Sequence, residues 1–367
     1  MDPQKKRTNW NEKMRAKARP IPFPRYIILA VFLLASSILI MWNSMRRRSV
    51  SLSAFSEQYL SHLPKTPDYL TEPLSIQREN REKAAMALVS LGEFPEMAMV
   101  EDIESKGSRP LMRKFIPLGA DERSPVLLYI HGGGWVLSSV RTHDGVCRQL
   151  AEASKAIVLS VEYRLSPEVV FPAALDDCLE AYLYALTLDG GSRLGVVLVG
   201  DSAGGNLAAG LAHRLRDERA RIPPLASVLI YPALDARCNS RSMEQFETSY
   251  GLSREAMKYF WKAYLGRNGD ERNNSPYASP LEDTNFAGLP PAFIAVAEAD
   301  VLRDDGLEYA IRLKDAGGTA EVYEAKGELH GFIKHTKNPA SAPFIKMVAE
   351  RGVALALREV ARRAAAS

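Results

Sequence analysis

The sequence predicts an α/β domain, a mostly parallel sheet with helices on both faces, and three observations predict it. Strand and helix signals alternate after residue 125, which is the pattern of repeated βα units rather than of hairpins. Two glycine-bearing motifs, His131-Gly132-Gly133-Gly134-Trp135 and Gly200-Asp201-Ser202-Ala203-Gly204-Gly205, each follow a short apolar run. Hydrophobic residues make up 46% of the 367, which suffices for one large core or at most two domains.

The elements follow in order. Residues 111–125 hold the first strands, although no clear period marks them. The runs Val126-Leu127-Leu128-Tyr129-Ile130 and Val196-Val197-Leu198-Val199 are apolar throughout, as strands buried on both faces must be. Further strands are expected at 156–161, 227–231, 292–297 and 320–325. Helices are expected at 172–187, 206–216, 253–265, 303–316 and 343–363. No internal repeat is visible.

The motif Gly200-Asp201-Ser202-Ala203-Gly204 has the G-x-S-x-G form of a nucleophile elbow, a sharp strand-to-helix turn that lifts a serine hydroxyl into a cleft. Its glycines have a physical task, because a strained turn needs neighbours without bulk. The glycine run 132–134 has the form of an oxyanion loop, in which the N–H groups of Gly133 and Gly134, with that of Ala203, face a reacting carbonyl. His131, Gly132, Gly200, Asp201 and Gly204 support the two turns. A dinucleotide loop is excluded, since G-x-G-x-x-G begun at Gly132 would put its third glycine at Leu137. There is no Walker motif, no H-E-x-x-H and no paired C-x-x-C, so a metal site has no support.

A serine nucleophile needs a base and a group that orients it. Of six histidines, His330 follows a strand and precedes Gly331-Phe332, and a loop at a strand's C-terminal end is where an open α/β sheet places its site. His335 is the rival. The acid falls between serine and histidine in chain order. Glu298, Asp300, Asp304 and Asp305 follow the strand at 292–297; Asp300 is the first aspartate beyond it, while Asp304 and Asp305 fit the first turn of the next helix.

These residues resemble the hormone-sensitive-lipase family of α/β hydrolases, which includes microbial esterases and arylacetamide deacetylase. Besides the two glycine motifs, Tyr163-Arg164-Leu165-Ser166-Pro167-Glu168, Asp300-Val301-Leu302-Arg303-Asp304 and His330-Gly331-Phe332 look like family segments; Val301 stands where proline is usual. The resemblance implies an α/β-hydrolase fold, a Ser202–His330–Asp300 triad, no cofactor, and a helical cap. The cap is expected within 43–110, with the linker, and in an insertion at about 236–280 of the catalytic domain 111–367. The implied activity is hydrolysis of small-molecule or lipid esters, short-acyl ones in particular. Amide deacetylation and a non-catalytic ligand-binding module are the alternatives.

The N-terminus differs in kind. Residues 26–42 are apolar and uncharged, eight Lys/Arg precede them within 1–25, and Arg46, Arg47 and Arg48 follow. The run has the minimum length of a spanning helix, and the charge bias predicts a signal-anchor with residues 1–25 cytosolic and the catalytic domain across the membrane; secretion after cleavage is the alternative. The net charge of +3 hides an uneven distribution, since residues 1–50 carry +9 and the remainder −6. Nucleic-acid binding is therefore not implied. Cys147, Cys178 and Cys238 are too few for a disulfide framework.

Overall fold

The computed structural model describes residues 50–366 apart from 64–71, 92, 122, 189–193 and 267–274. The predicted signal-anchor at 26–42 lies outside the described residues. Among the described residues no helix is long and apolar enough to cross a membrane.

One eight-stranded sheet organises the chain: β1 (Met97–Ile103), β2 (Met112–Pro117), β3 (Val126–Ile130), β4 (Val158–Val161), β5 (Val196–Asp201), β6 (Ala226–Ile230), β7 (Ala292–Ala299) and β8 (Ala320–Leu329). The spatial order is β1-β2-β4-β3-β5-β6-β7-β8. Pairs from β4 to β8 are parallel, whereas β1–β2 and β2–β4 are antiparallel. Residues 97–103, which the sequence reading places with the linker and cap, are thus an edge strand of the main sheet. Only Met97 of β1 is buried, so the strand lacks the apolar run that betrays the central ones.

The helices are α1 (Ala54–His62), α2 (Leu74–Ser90), α3 (Asp144–Ser154), α4 (Ala173–Ala185), α5 (Ala203–Asp217), α6 (Arg241–Gln245), α7 (Arg254–Leu265), α8 (Arg303–Asp315) and α9 (Ser341–Ala366). Side chains alternate across the sheet, as the period of a strand requires. Val126, Leu128 and Ile130 join the core under α4, α5 and α8, while Leu127 and Tyr129 join the core under α3 and α9. The three cysteines are buried and unpaired.

The expected insertion at 236–280 supplies α6 and α7. Ser253 caps α7 by accepting from the Ala256 N–H at 3.1 Å, and its buried face holds Met257, Phe260, Trp261 and Tyr264. Trp261 and Tyr264 pack their rings against Trp135, each at 4.4 Å between centroids. The first glycine motif is thereby tied to α7.

Candidate active site

Each chemistry-bearing position directly follows a strand: His131 after β3, Ser202 after β5, Asp300 after β7 and His330 after β8. The parallel strands deliver all four to the same edge of the sheet, where the strand order reverses about β3 and a crevice opens.

Ser202 occupies the sharpest turn. Its φ is +57° and ψ −120°, a conformation that costs a non-glycine residue about 1–3 kcal/mol and survives only where its surroundings enforce it. They do so here. The Ser202 N–H donates to the Ile230 carbonyl at 2.8 Å, and its carbonyl accepts from Asn206 N–H at 3.0 Å. A Cβ on Gly204 would collide with the Ile130 carbonyl oxygen, so only glycine lets α5 start this close to β3.

The predicted hydroxyl, imidazole and carboxylate meet. Ser202 Oγ lies 2.8 Å from His330 Nε2, and His330 Nδ1 lies 2.7 Å from Asp300 Oδ2. An ionised carboxylate can only accept, so Nδ1 carries the proton and Nε2 is left to accept from the serine. The other Asp300 oxygen accepts from Leu302 N–H at 2.9 Å. Val301, in the usual place of proline, is fully buried, and its carbonyl accepts from Ser242 Oγ at 2.6 Å. The Tyr231 ring packs 4.6 Å from the His330 ring.

The neighbouring acids are engaged elsewhere. Glu298 accepts from Gly327 N–H, Asp304 from Ser242 N–H, and Asp305 from Leu234 and Asp235 N–H. Asp304 and Asp305 do sit in the first turn of α8. Among the described residues His330 is the histidine bonded to Ser202; the His335 ring instead packs, tilted, against Tyr59 at 4.5 Å, and burial with the nearby Lys334 lowers it to about 4.

The glycine loop is braced from below by Asp201. Its Oδ1 accepts from Gly132 N–H at 2.9 Å and from Tyr129 Oη at 2.7 Å, with His143 Nε2 at 3.4 Å. Burial works against this charge, but His143 above all, then Lys334 and Tyr129, hold the carboxyl below its usual range. His131 is sandwiched between Tyr163 at 4.2 Å and His143 at 5.6 Å. Burial, then the neighbouring His143, lowers it to about 3, so it is a neutral spacer whose own carbonyl accepts from Tyr163 Oη. Above this brace Gly133 takes φ +126° and Gly134 φ +62°. A Cβ on Gly134 would enter the Phe260 ring of α7. No hydrogen-bond partner is seen among the described residues for the N–H groups of Gly133, Gly134 or Ala203. Ala203 opens α5, so its N–H also sits at the positive end of a helix dipole.

Sequence reasoning gave no role to Tyr129, His143 and Tyr231, and named Tyr163 only as part of a family-like segment. Tyr129, His143 and Tyr231 carry no motif; only their distance from the glycine turns in space marks them. The site opens into a cavity of about 500 Å³ whose walls include Ser202, His330, Gly133 and Gly134, with residues of α1, α2, α3 and α7 and of the loops at 137–142, 251–252 and 331–336 contributing to the enclosure.

Comparison with known proteins identifies the fold and the family. A family model described as alpha/beta hydrolase fold matches residues 127–334. An ethyl acetate hydrolase of Pseudomonas putida is 37% identical over 214 residues, 57% of this chain and 66% of its own. A carboxylesterase, NlhH, of Mycobacterium tuberculosis is 37% identical over 228 residues, 60% of this chain and 70% of its own. The match thus spans just under two thirds of the Pseudomonas relative. The solved structure of a hyperthermophilic esterase from the archaeon Pyrobaculum calidifontis superposes with a TM-score of 0.75 at 35% identity, covering 83% of this chain and 99% of that one. Fold, motif spacing and relatives converge, and the chain belongs to the hormone-sensitive-lipase family of α/β hydrolases.

Proposed function

We propose that this protein is a serine carboxylesterase acting on small esters. The observation that carries the reading is the hydrogen-bonded series Ser202 Oγ, His330 Nε2, His330 Nδ1, Asp300 Oδ2 at 2.8 and 2.7 Å. The names of relatives, an ethyl acetate hydrolase and carboxylesterases among them, support ester over amide substrates.

The chemistry follows from the geometry. Ser202 Oγ attacks the ester carbonyl carbon while His330 Nε2 takes its proton. Asp300 fixes the imidazole tautomer and stabilises the imidazolium. The carbonyl oxygen, now carrying negative charge, is received by the N–H groups of Gly133, Gly134 and Ala203; losing one such donor typically costs about 3–4 kcal/mol of transition-state stabilisation. His330 then returns the proton to the departing alkoxide, and water repeats the sequence on the acyl-serine. Ser202→Ala should lower kcat on a 4-nitrophenyl ester by about 10⁴-fold or more and abolish labelling by a fluorophosphonate. Retained turnover in that variant would remove the assignment.

The location of the protein is a separate reading, drawn from sequence. We infer that residues 26–42 anchor the chain, with residues 1–25 cytosolic. Full-length protein should stay in the membrane pellet after alkaline carbonate extraction and be released when residues 1–45 are deleted. Release of the intact chain would end that reading.

A further inference from the structure

The cavity in front of Ser202 is one-sided in charge. Two of its wall residues are cations, Arg81 on α2 and Lys334 in the short helical turn Phe332–Lys334, and among the described residues no aspartate or glutamate lines it. Neither cation has a hydrogen-bond or ion-pair partner among the described residues. Much of the remaining wall is apolar, with Leu88, Phe94, Leu137, Val146, Met257 and Ile333.

Local chain geometry fixes where the lysine lies. Gly331 directly follows His330 and takes φ +78°. The turn after it folds Lys334 back over it, so that Nζ lies 3.8 Å from the point a Cβ on Gly331 would occupy. The ammonium therefore lies beside the residue that directly follows the proposed base. The lysine is partly buried. Burial and the repulsion of Arg81 press it below the ordinary lysine range, against the pull of Asp201. No ion pair joins it to Asp201, whose carboxylate lies beneath the glycine loop with Oδ1 bonded to Gly132 and Tyr129 and Oδ2 buried without a hydrogen-bond partner among the described residues. A partly desolvated ammonium with no carboxylate paired to it is costly; an anion entering the cavity would offset that cost at Lys334, with the exposed Arg81 adding its attraction.

We propose that the cavity selects esters carrying a second, anionic group, a carboxylate at the far end of the acyl chain or on the alcohol, held by Lys334 and Arg81 while the neutral ester carbonyl meets Ser202. This rests on the esterase reading above and names its substrate class. The carboxylate takes no part in bond making or breaking; it orients the ester and raises its affinity. A neutral ester of the same length gains only the apolar wall.

The test compares kcat/KM within two matched pairs, using the full chain. The acyl pair is 4-nitrophenyl hydrogen adipate against 4-nitrophenyl hexanoate. The alcohol pair is 4-(butyryloxy)phenylacetate against its methyl ester. In one pair Lys334→Met should lower the anionic-to-neutral ratio by about tenfold or more, the effect of one lost charge-assisted contact. Arg81→Gln, on an exposed stretch of helix where folding is not at stake, should lower it several-fold, and about 0.5 M salt should lower it in the unaltered protein, since that contact is open to screening. The pair that responds tells which side of the ester bears the anion. Ratios that stay put in both variants and in salt, while the neutral esters are turned over, overturn the proposal and leave the esterase reading standing. Turnover of none of the four esters overturns the esterase reading and this proposal with it.

Discussion

The floor and the roof of the cavity are built by different rules. In α5, which carries the serine turn, twelve of fifteen residues are buried. In α2, which faces it across the cavity, Gln77 is the one buried residue of seventeen. The floor is held by packing inside a continuous core; the roof is held by a few polar ties. Arg78 makes most of those for α2, donating through Nε to the Val136 carbonyl at 2.8 Å and through Nη2 to the Ser166 carbonyl at 3.0 Å, with an ion pair to Glu168 at 2.8 Å. On α1 the comparable ties are Ser53 N–H to the Gly327 carbonyl and Ser56 Oγ to Glu328. Atoms that must meet within tenths of an ångström sit where close packing forbids drift. Walls that choose among substrates sit where the chain can change or move cheaply.

Substitutions can break that contrast, beginning with the floor. Asp201→Ala removes a buried charge that braces the glycine loop and strands Tyr129 and His143 in the core. Stability should fall by about 3–5 kcal/mol, read from a shifted denaturant midpoint, and residual activity should drop with it. A variant as stable as the parent would show that the floor does not depend on this carboxylate.

Glu162 gives a smaller effect with a defined pH window. Burial raises its carboxyl to about 7, aided by Glu82 and opposed by the Val140 N–H, which donates to it at 2.7 Å. Between about pH 4.5 and 7 the folded protein keeps a proton that the unfolded chain has lost, so this group costs stability as pH rises through that window. The loss should approach about 2–3 kcal/mol above pH 7. Glu162→Gln should be more stable than the parent at pH 8 by that amount and match it at pH 4.5. Parallel pH–stability curves would refute the assignment.

The roof should respond least in stability and differently in kinetics. Arg78→Ala should cost about 1 kcal/mol, yet raise KM several-fold with kcat near its parent value, because a loosened wall weakens uniform binding without touching the transition state. An equal fall in kcat would mean that α2 helps place the serine, and the separation of floor from roof would have to be withdrawn.

Legibility follows the same division. The floor was readable because its parts carry local signatures. Apolar runs mark the central strands, glycines mark the turns that need φ above zero or close approach, and each chemistry-bearing residue stands next to a strand end. The roof was legible only in outline. Helices α1 and α2 bury too little to show a clean apolar face, and β1 buries one residue of seven, so 97–103 reads as linker.

Sequence alone determined the α/β class, the central strand set and the two glycine-bearing turns, because each is encoded in spacing or in steric need within a few residues; Ser202, Asp300 and His330 as a set were an expectation drawn from chain order and resemblance. Tertiary structure decided what no local pattern contains. It brought residues far apart in the chain within hydrogen-bond reach of one another, set Asp201 under the loop, and turned Arg81 and Lys334 toward one cavity. Such contacts join residues separated by whole elements, and their energies depend on distance in space, which the order of residues along the chain does not record.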